Sequence, residues 1–284
     1  MNNLYSRVTA QLIDSLEAGV APWVRPWSVV AEPIPRNGVS RRPYRGINVL
    51  LLSLKAFTAG YPDNRWLTYR QAQALGGQVK RGETGTTVVF YERRTFAEPD
   101  DANNVRVVPF VKVFTVFNTA QVENLPEAES DSAPAWEASA SAASLVEQSG
   151  ARVVHGGNVA CYQPREDLIR MPAQGQFPDA GGYYATLLHE LAHWTGHPSR
   201  CARELGKRFG DDAYAMEELI AEIGAAFLCA HCRIDGALQH ASYLDHWLRV
   251  LRKTPQALLT AAAKAQQLTD YLTAHSEAPE QRAA

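Results

Sequence analysis

The pentad His189-Glu190-Leu191-Ala192-His193 constrains this chain more than any other stretch. Two histidines four residues apart share a face only on a helix, one turn above the other. Leu187, Leu188, Leu191 and Ala192 surround them with apolar side chains, so that helix must lie inside a core. A glutamate there is expensive to bury without a partner. Two neutral imidazoles on one helical face suit a zinc ion that keeps an open position, although another divalent metal would also fit. Glu190 stands where it can reach a water on that ion. The chemistry implied is metal-assisted hydrolysis, with Glu190 as the general base that passes a proton to a leaving amine. Gly196 and Pro198 supply a stop for the helix.

A third ligand needs its own argument. One large class places a histidine six positions after the second motif histidine, but Ser199 stands there, which excludes that class. His197 lies past the glycine and is expected at the rim. Residues 219–230 are apolar except for Glu222, which predicts a buried helix. Glu218 and Glu222 are four apart and share its face. One is expected to bind the metal and the other to orient a ligand histidine. Glu218 is the preferred ligand and Glu222 the preferred orienting partner, with the reverse left open. Glu217 points about 100° away and is expected to be solvated or capping.

The rest of the chain divides in two. Residues 1–126 carry 15 Lys and Arg against 10 Asp and Glu, whereas residues 127–284 carry 13 against 20. That asymmetry suggests different partners for the two halves. A small, acidic, proline-bearing stretch after Pro126 predicts a linker at 127–143, between a front domain at 1–126 and a back domain at 144–276. Residues 277–284 read as a frayed tail. No segment approaches a membrane span, and the start has no apolar run of signal length, so no membrane partner is expected. Four cysteines do not suggest a disulfide scaffold, and a reducing cytoplasm is the expected setting. Cys229 and Cys232 read as small core residues.

Helical spacing predicts helices over 4–18 and 47–59, a third capped by Thr68, a helix-like segment near 136–149, and the motif helix at 179–195. Further helices are expected near 213–232 and 238–251, and a last one starts at Thr254-Pro255. Strands are expected at 86–91 and 105–117 in the front half, and at 152–154, 158–162 and 167–171 in the back half. Strands followed by helices make the class α+β, with two domains.

The front half interleaves aromatics with cations. Trp23, Arg25 and Trp27 stand together, then Arg41, Arg42, Tyr44 and Arg45, then Trp66, then Lys80 and Arg81 in a glycine-flanked turn, then Arg93. Rings that stack on bases and cations that track phosphate suit single-stranded nucleic acid. The same tryptophans would also serve as the core of a small domain.

Several long motifs in order carry a resemblance. They are LEAGVAPWVRPW at 16–27, PYRGINV at 43–49, WLTY at 66–69, VKRGE at 79–83, VFNTAQ at 116–121, DLIRMP at 167–172, YATLLHELAHWTGH at 184–197 and YAMEELIAEIGAAF at 214–227. The front half resembles the N-terminal domain of ArdC-type antirestriction proteins, shared with TraC-type plasmid primases. The back half resembles the zincin-like domain of the same family. Cys201 departs from the pattern, outside the metal motif. The resemblance implies a domain that binds single-stranded DNA joined to a metallopeptidase-like domain. It implies a plasmid setting in which the protein shields transferred DNA from restriction, and it favours Glu218 over Glu222 as the ligand. The substrate-pairing edge strand would be 167–171.

Overall fold

The computed structural model describes residues 9–10, 13–17, 34–98, 101–126, 135–205, 211–234 and 244–274, without the side chains of 93–98, 101–109, 135–138 and 244–246. Trp23, Arg25 and Trp27, residues 127–134 of the expected linker and the tail lie outside the described residues, as does the side chain of Arg93.

In the front half, residues 13–17 are helical and Leu16 is fully buried. Strand β1 (Arg36–Asn37) leads to helix α1 (Ile47–Ala59), which Gly60 ends in the left-handed conformation at φ 65°. Strand β2 (Arg65–Thr68) runs into the short helix α2 (Tyr69–Ala74). Thr68 caps α2, and Gln71 reaches back to complete a capping box. Strand β3 (Gln78–Val79) pairs with β6 (Val122–Glu123). Between them β4 (Thr86–Glu98) and β5 (Asp101–Asn118) form a long antiparallel hairpin. The larger sheet has the order β1-β2-β5-β4. Among the described residues only 116–118 of β5 pair with β2, and most of the hairpin is there a two-stranded ribbon.

The back half opens on the helix expected near 136–149. Helix α3 (Ala135–Ser149) occupies part of the segment expected as linker, because Ala142 and Leu145 find apolar partners in the core. Strands β7 (Arg152–His155), β8 (Cys161–Gln163) and β9 (Leu168–Met171) form a sheet of order β7-β9-β8. The strand expected to be a free edge, 167–171, is therefore the central one, hydrogen-bonded on both sides. The edge beside the metal motif is β8. Helix α4 (Ala180–Trp194) carries that motif and is capped by Asp179, which accepts from Gly182 N–H at 2.7 Å. Helix α5 (Asp212–Cys232) is capped by Asp211. Helices α6 (Leu244–Lys253) and α7 (Gln256–Thr273) complete the chain.

One apolar cluster spans both halves. Ile47, Val49, Leu50 and Leu51 of α1 belong to the same core as Leu188, Leu219, Phe227 and Leu268. Cys229 and Cys232 lie inside it, both unpaired and pushed up in pKa by burial, so they serve as core residues. Helix α5 approaches α7 closely at Gly224, where a Cβ would stand 2.7 Å from Leu268 Cδ2.

Candidate metal centre and nucleic-acid interface

Helices α4 and α5 bring three donors to one point. His189 and His193 project from one face of α4, and Glu218 faces them from the second turn of α5. The two Nε2 atoms are 3.2 Å apart. Glu218 lies 3.7 Å from His189 Nε2 through Oε2 and 3.6 Å from His193 Nε2 through Oε1. One ligand atom from each of the three residues falls within 4.8 Å of the others. The site opens into a cleft of about 360 Å³ floored by these side chains and bordered by Tyr214 and Leu205. Glu190 borders the same cleft and accepts the Tyr162 N–H of β8 on Oε2 at 2.8 Å. His197 turns to Ser199 Oγ at 2.8 Å, as a rim residue would.

Glu217 departs from expectation. It is neither solvated nor capping but 2% exposed. Its Oε1 lies 3.2 Å from His193 Nδ1, and Arg203 donates to both of its oxygens. A helical wheel places Glu217 off the Glu218 face, but Arg203 and the end of α4 wrap around that flank too. Glu222 is also buried, one turn beyond Glu218.

The electrostatics suit a cation. Burial disfavours charge on His193, but hydrogen bonds and attraction from Glu217 and Glu218 outweigh it and raise its pKa to about 10. Burial opposes ionisation of Glu218 as well, yet His189 and His193 hold it well below the usual carboxylate range. Glu217 is lowered against its burial by Arg203 and His193. The cluster therefore stabilises positive charge at the point where its ligand atoms meet.

The proposed nucleic-acid contacts are scattered. Arg41, Arg42 and Arg81 are exposed. Arg45 is exposed but pairs with Asp270 of α7. Lys80 donates to the Ala120 carbonyl at 2.9 Å. Trp66 is a correction: it is fully buried, packed edge-on against Tyr61 beneath the sheet, and presents no ring to a base. Tyr44 is also buried, tilted against Phe90.

The ribbon instead exposes rings that the sequence reading did not select. Phe90 is 44% exposed, Tyr91 56% and Phe114 43%. Phe90 and Phe114 stack edge to face at 5.4 Å between centroids. Together with Tyr44, Phe90 and Tyr91 line both a cleft of about 450 Å³ on the sheet and a groove of about 850 Å³ against α7. Lys112 borders the first and Lys264 the second. The available signal was the adjacent Phe90-Tyr91, since alternation sends neighbouring strand residues to opposite faces.

Comparison with known proteins matches this architecture. The family described as the N-terminal domain of anti-restriction factor ArdC covers residues 2–117, and the zincin-like metallopeptidase family covers residues 140–264. The antirestriction protein ArdC from plasmid R388, crystallised without metal, superposes with a TM-score of 0.83 at 38% identity, over 96% of this chain and 98% of that one. This chain belongs to the ArdC antirestriction family. The Mn(II)-bound structure of R388 ArdC gives a TM-score of 0.79 at 39% identity, over 98% of this chain and 99% of that one. The uncharacterized protein y4eC of Sinorhizobium fredii (strain NBRC 101917 / NGR234) is 39% identical over 96% of this chain and 92% of its own length. The DNA primase TraC of Escherichia coli is 39% identical over 96% of this chain, which spans only 27% of that protein. Among the described residues, no helix is long and apolar enough to cross a membrane.

Proposed function

We propose that this ArdC-family chain binds single-stranded DNA through its front half and carries a metal-dependent peptidase-type centre in its back half. In this reading it protects incoming DNA in the recipient cytoplasm during conjugation. The observation that carries the metal centre is the convergence of His189, His193 and Glu218 beside Glu190. Two imidazoles and one carboxylate are the donor set of an open zinc site, and the Mn(II)-bound R388 relative shows that a divalent ion enters a related fold. When bound, such an ion would acidify a water and polarise a scissile carbonyl. Glu190, beside that point, would be the base for such a water and would hand the proton to the leaving nitrogen. Glu222 is the less favoured of the two acids for a direct role.

The DNA reading is supported by the exposed rings of Phe90, Tyr91 and Phe114, with the exposed Arg41 and Arg42 as phosphate partners and Lys112 nearby in an ion pair with Glu92, and by the DNA primases that share this segment. The test pairs metal content with oligonucleotide binding in the wild type and in His193→Ala. About one zinc per chain, lost in the variant while DNA binding persists, is expected. Metal in neither protein removes the peptidase reading, and a salt-insensitive or absent oligonucleotide shift removes the DNA reading.

One contact favours a second reading, in which the chain shields DNA by coating it and the metal is structural. The carboxylate of Glu190 is already engaged by Tyr162 N–H. Glu190→Ala separates the two: it keeps metal in both, but abolishes protection in a restricting host only if hydrolysis is needed.

A further inference from the structure

We propose that Glu217, fastened by Arg203, is a positioning residue of the metal centre: it fixes the ring of His193 so that Nε2 faces the ion. This rests on the reading of His189, His193 and Glu218 as ligands.

An imidazole has two nitrogens, and only one can face a given metal point. His193 Nδ1 lies 3.2 Å from Glu217 Oε1, while Nε2 lies 3.2 Å from His189 Nε2 and 3.6 Å from Glu218 Oε1. An ionised carboxylate only accepts hydrogen bonds, so Nδ1 donates to Glu217. In the neutral ring the lone pair then stands on Nε2, aimed at the other two ligands.

Glu217 is itself held rigidly. Arg203 donates to Oε2 through Nε at 2.9 Å and to Oε1 through Nη2 at 2.8 Å. Nη1 also donates to the Thr195 hydroxyl at 2.8 Å, and Nη2 to the Ala192 carbonyl at 2.7 Å, at the end of α4. Arg203 thus ties the carboxylate on α5 to the helix end that carries His193. Gly196 admits this arrangement, since a Cβ there would stand 3.1 Å from Arg203 Nη2 and 2.4 Å from Leu205 Cδ2. Packing alone does not call for such a pair, because buried ion pairs are often replaced by apolar side chains without loss. Orientation of His193 gives it a use.

The rival is a plain staple between helices. Removing Glu217 alone would strand the Arg203 charge, so the test changes both. Zn2+ affinity is measured by chelator competition for the wild type, for Glu217→Leu with Arg203→Met, and for Glu217→Gln with Arg203→Met. Absence of binding by the wild type defeats the ligand reading itself, and with it any role of Glu217 toward a metal. Given wild-type binding, the Leu/Met pair is expected to bind about 10–100-fold more weakly. The Gln/Met pair, which keeps an acceptor oxygen, is expected to recover part of that loss. Wild-type affinity in the Leu/Met pair, or no recovery in the Gln/Met pair, overturns the proposal. A measurement on the zinc-loaded wild type needs no variant. Heteronuclear NMR of the histidine rings should show His193 protonated at Nδ1, and protonation at Nε2 overturns the proposal.

Discussion

His193 couples a proton to the metal site. Its pKa of about 10 in the folded chain stands above the ordinary 6.5, because Glu217 and Glu218 outweigh the effect of burial. A raised folded pKa stabilises the fold fully below the unfolded value, and the gain is lost as pH climbs through the folded one. For the metal-free chain that window runs from about 6.5 to about 10. Glu217 and Glu218 act in the opposite sense: their lowered pKa values stabilise the fold above about 4.5, and that support is lost as pH falls. A cation at Nε2 must displace the His193 proton, so metal affinity should rise steadily from neutral pH toward the folded pKa. Calorimetric titration in buffers of different ionisation enthalpy would count the released proton. Affinity independent of pH over that range would remove His193 as a ligand. The pentad was legible at this scale because helical spacing fixes which side chains share a face, whereas that spacing alone leaves Glu218 and Glu222 as alternatives. Glu217 was not legible, because its burial depends on Arg203, which lies on a loop that no periodicity describes.

Among the elements, the helices were the most legible. Caps such as Asp179 and Thr68, and the apolar runs of α1 and α5, are local signals. The strand order was not, since β8 and β9 are too short to reveal their pairing, and 167–171 is the central strand and not an edge. The aromatics were misassigned for a related reason. A tryptophan beside an arginine looks the same in sequence whether its ring is covered or bare, and Trp66 is covered. The two kinds of ring predict different losses. Phe90→Ala and Phe114→Ala should each weaken single-stranded DNA by about 5–150-fold, from roughly 1–3 kcal/mol per stacked base, with little change in melting. Trp66→Ala should instead destabilise the fold by about 3–5 kcal/mol, and any loss of DNA binding should track unfolding. Anisotropy titrations with a labelled oligonucleotide, beside thermal melts, would separate the two. Unchanged affinity in both phenylalanine variants would move the interface off the ribbon. Where α5 meets α7, Leu268→Ala should cost about 2–5 kcal/mol, read from denaturant midpoints, because Gly224 leaves that leucine alone to fill the space.

For the whole molecule, the two family domains share one large core, beside two smaller clusters confined to the front half. Composition and charge divide the chain near residue 126, yet α1 buries Ile47, Val49, Leu50 and Leu51 in the cluster that contains α5 and α7. Polar contacts reinforce the junction. Gly46 N–H donates to Gln266 Oε1 at 3.0 Å, Thr9 Oγ1 donates to the Pro255 carbonyl at 2.7 Å, and Arg45 and Arg252 pair with Asp270 and Glu17. Sequence reading missed this because helical periodicity shows that α1 is buried, not what it is buried against. A shared core makes the halves unfold together. The full chain is expected to give one calorimetric transition. Leu50→Ala in the front half and Leu268→Ala in the back half should both lower that same transition. Two resolved transitions, each sensitive to only one substitution, would show that the halves are energetically independent. The same coupling bears on DNA, because the groove beside Phe90 and Tyr91 is walled on one side by α7, and α7 packs against the α5 helix that carries Glu218. An oligonucleotide seated there would therefore contact an element one helix away from the metal centre.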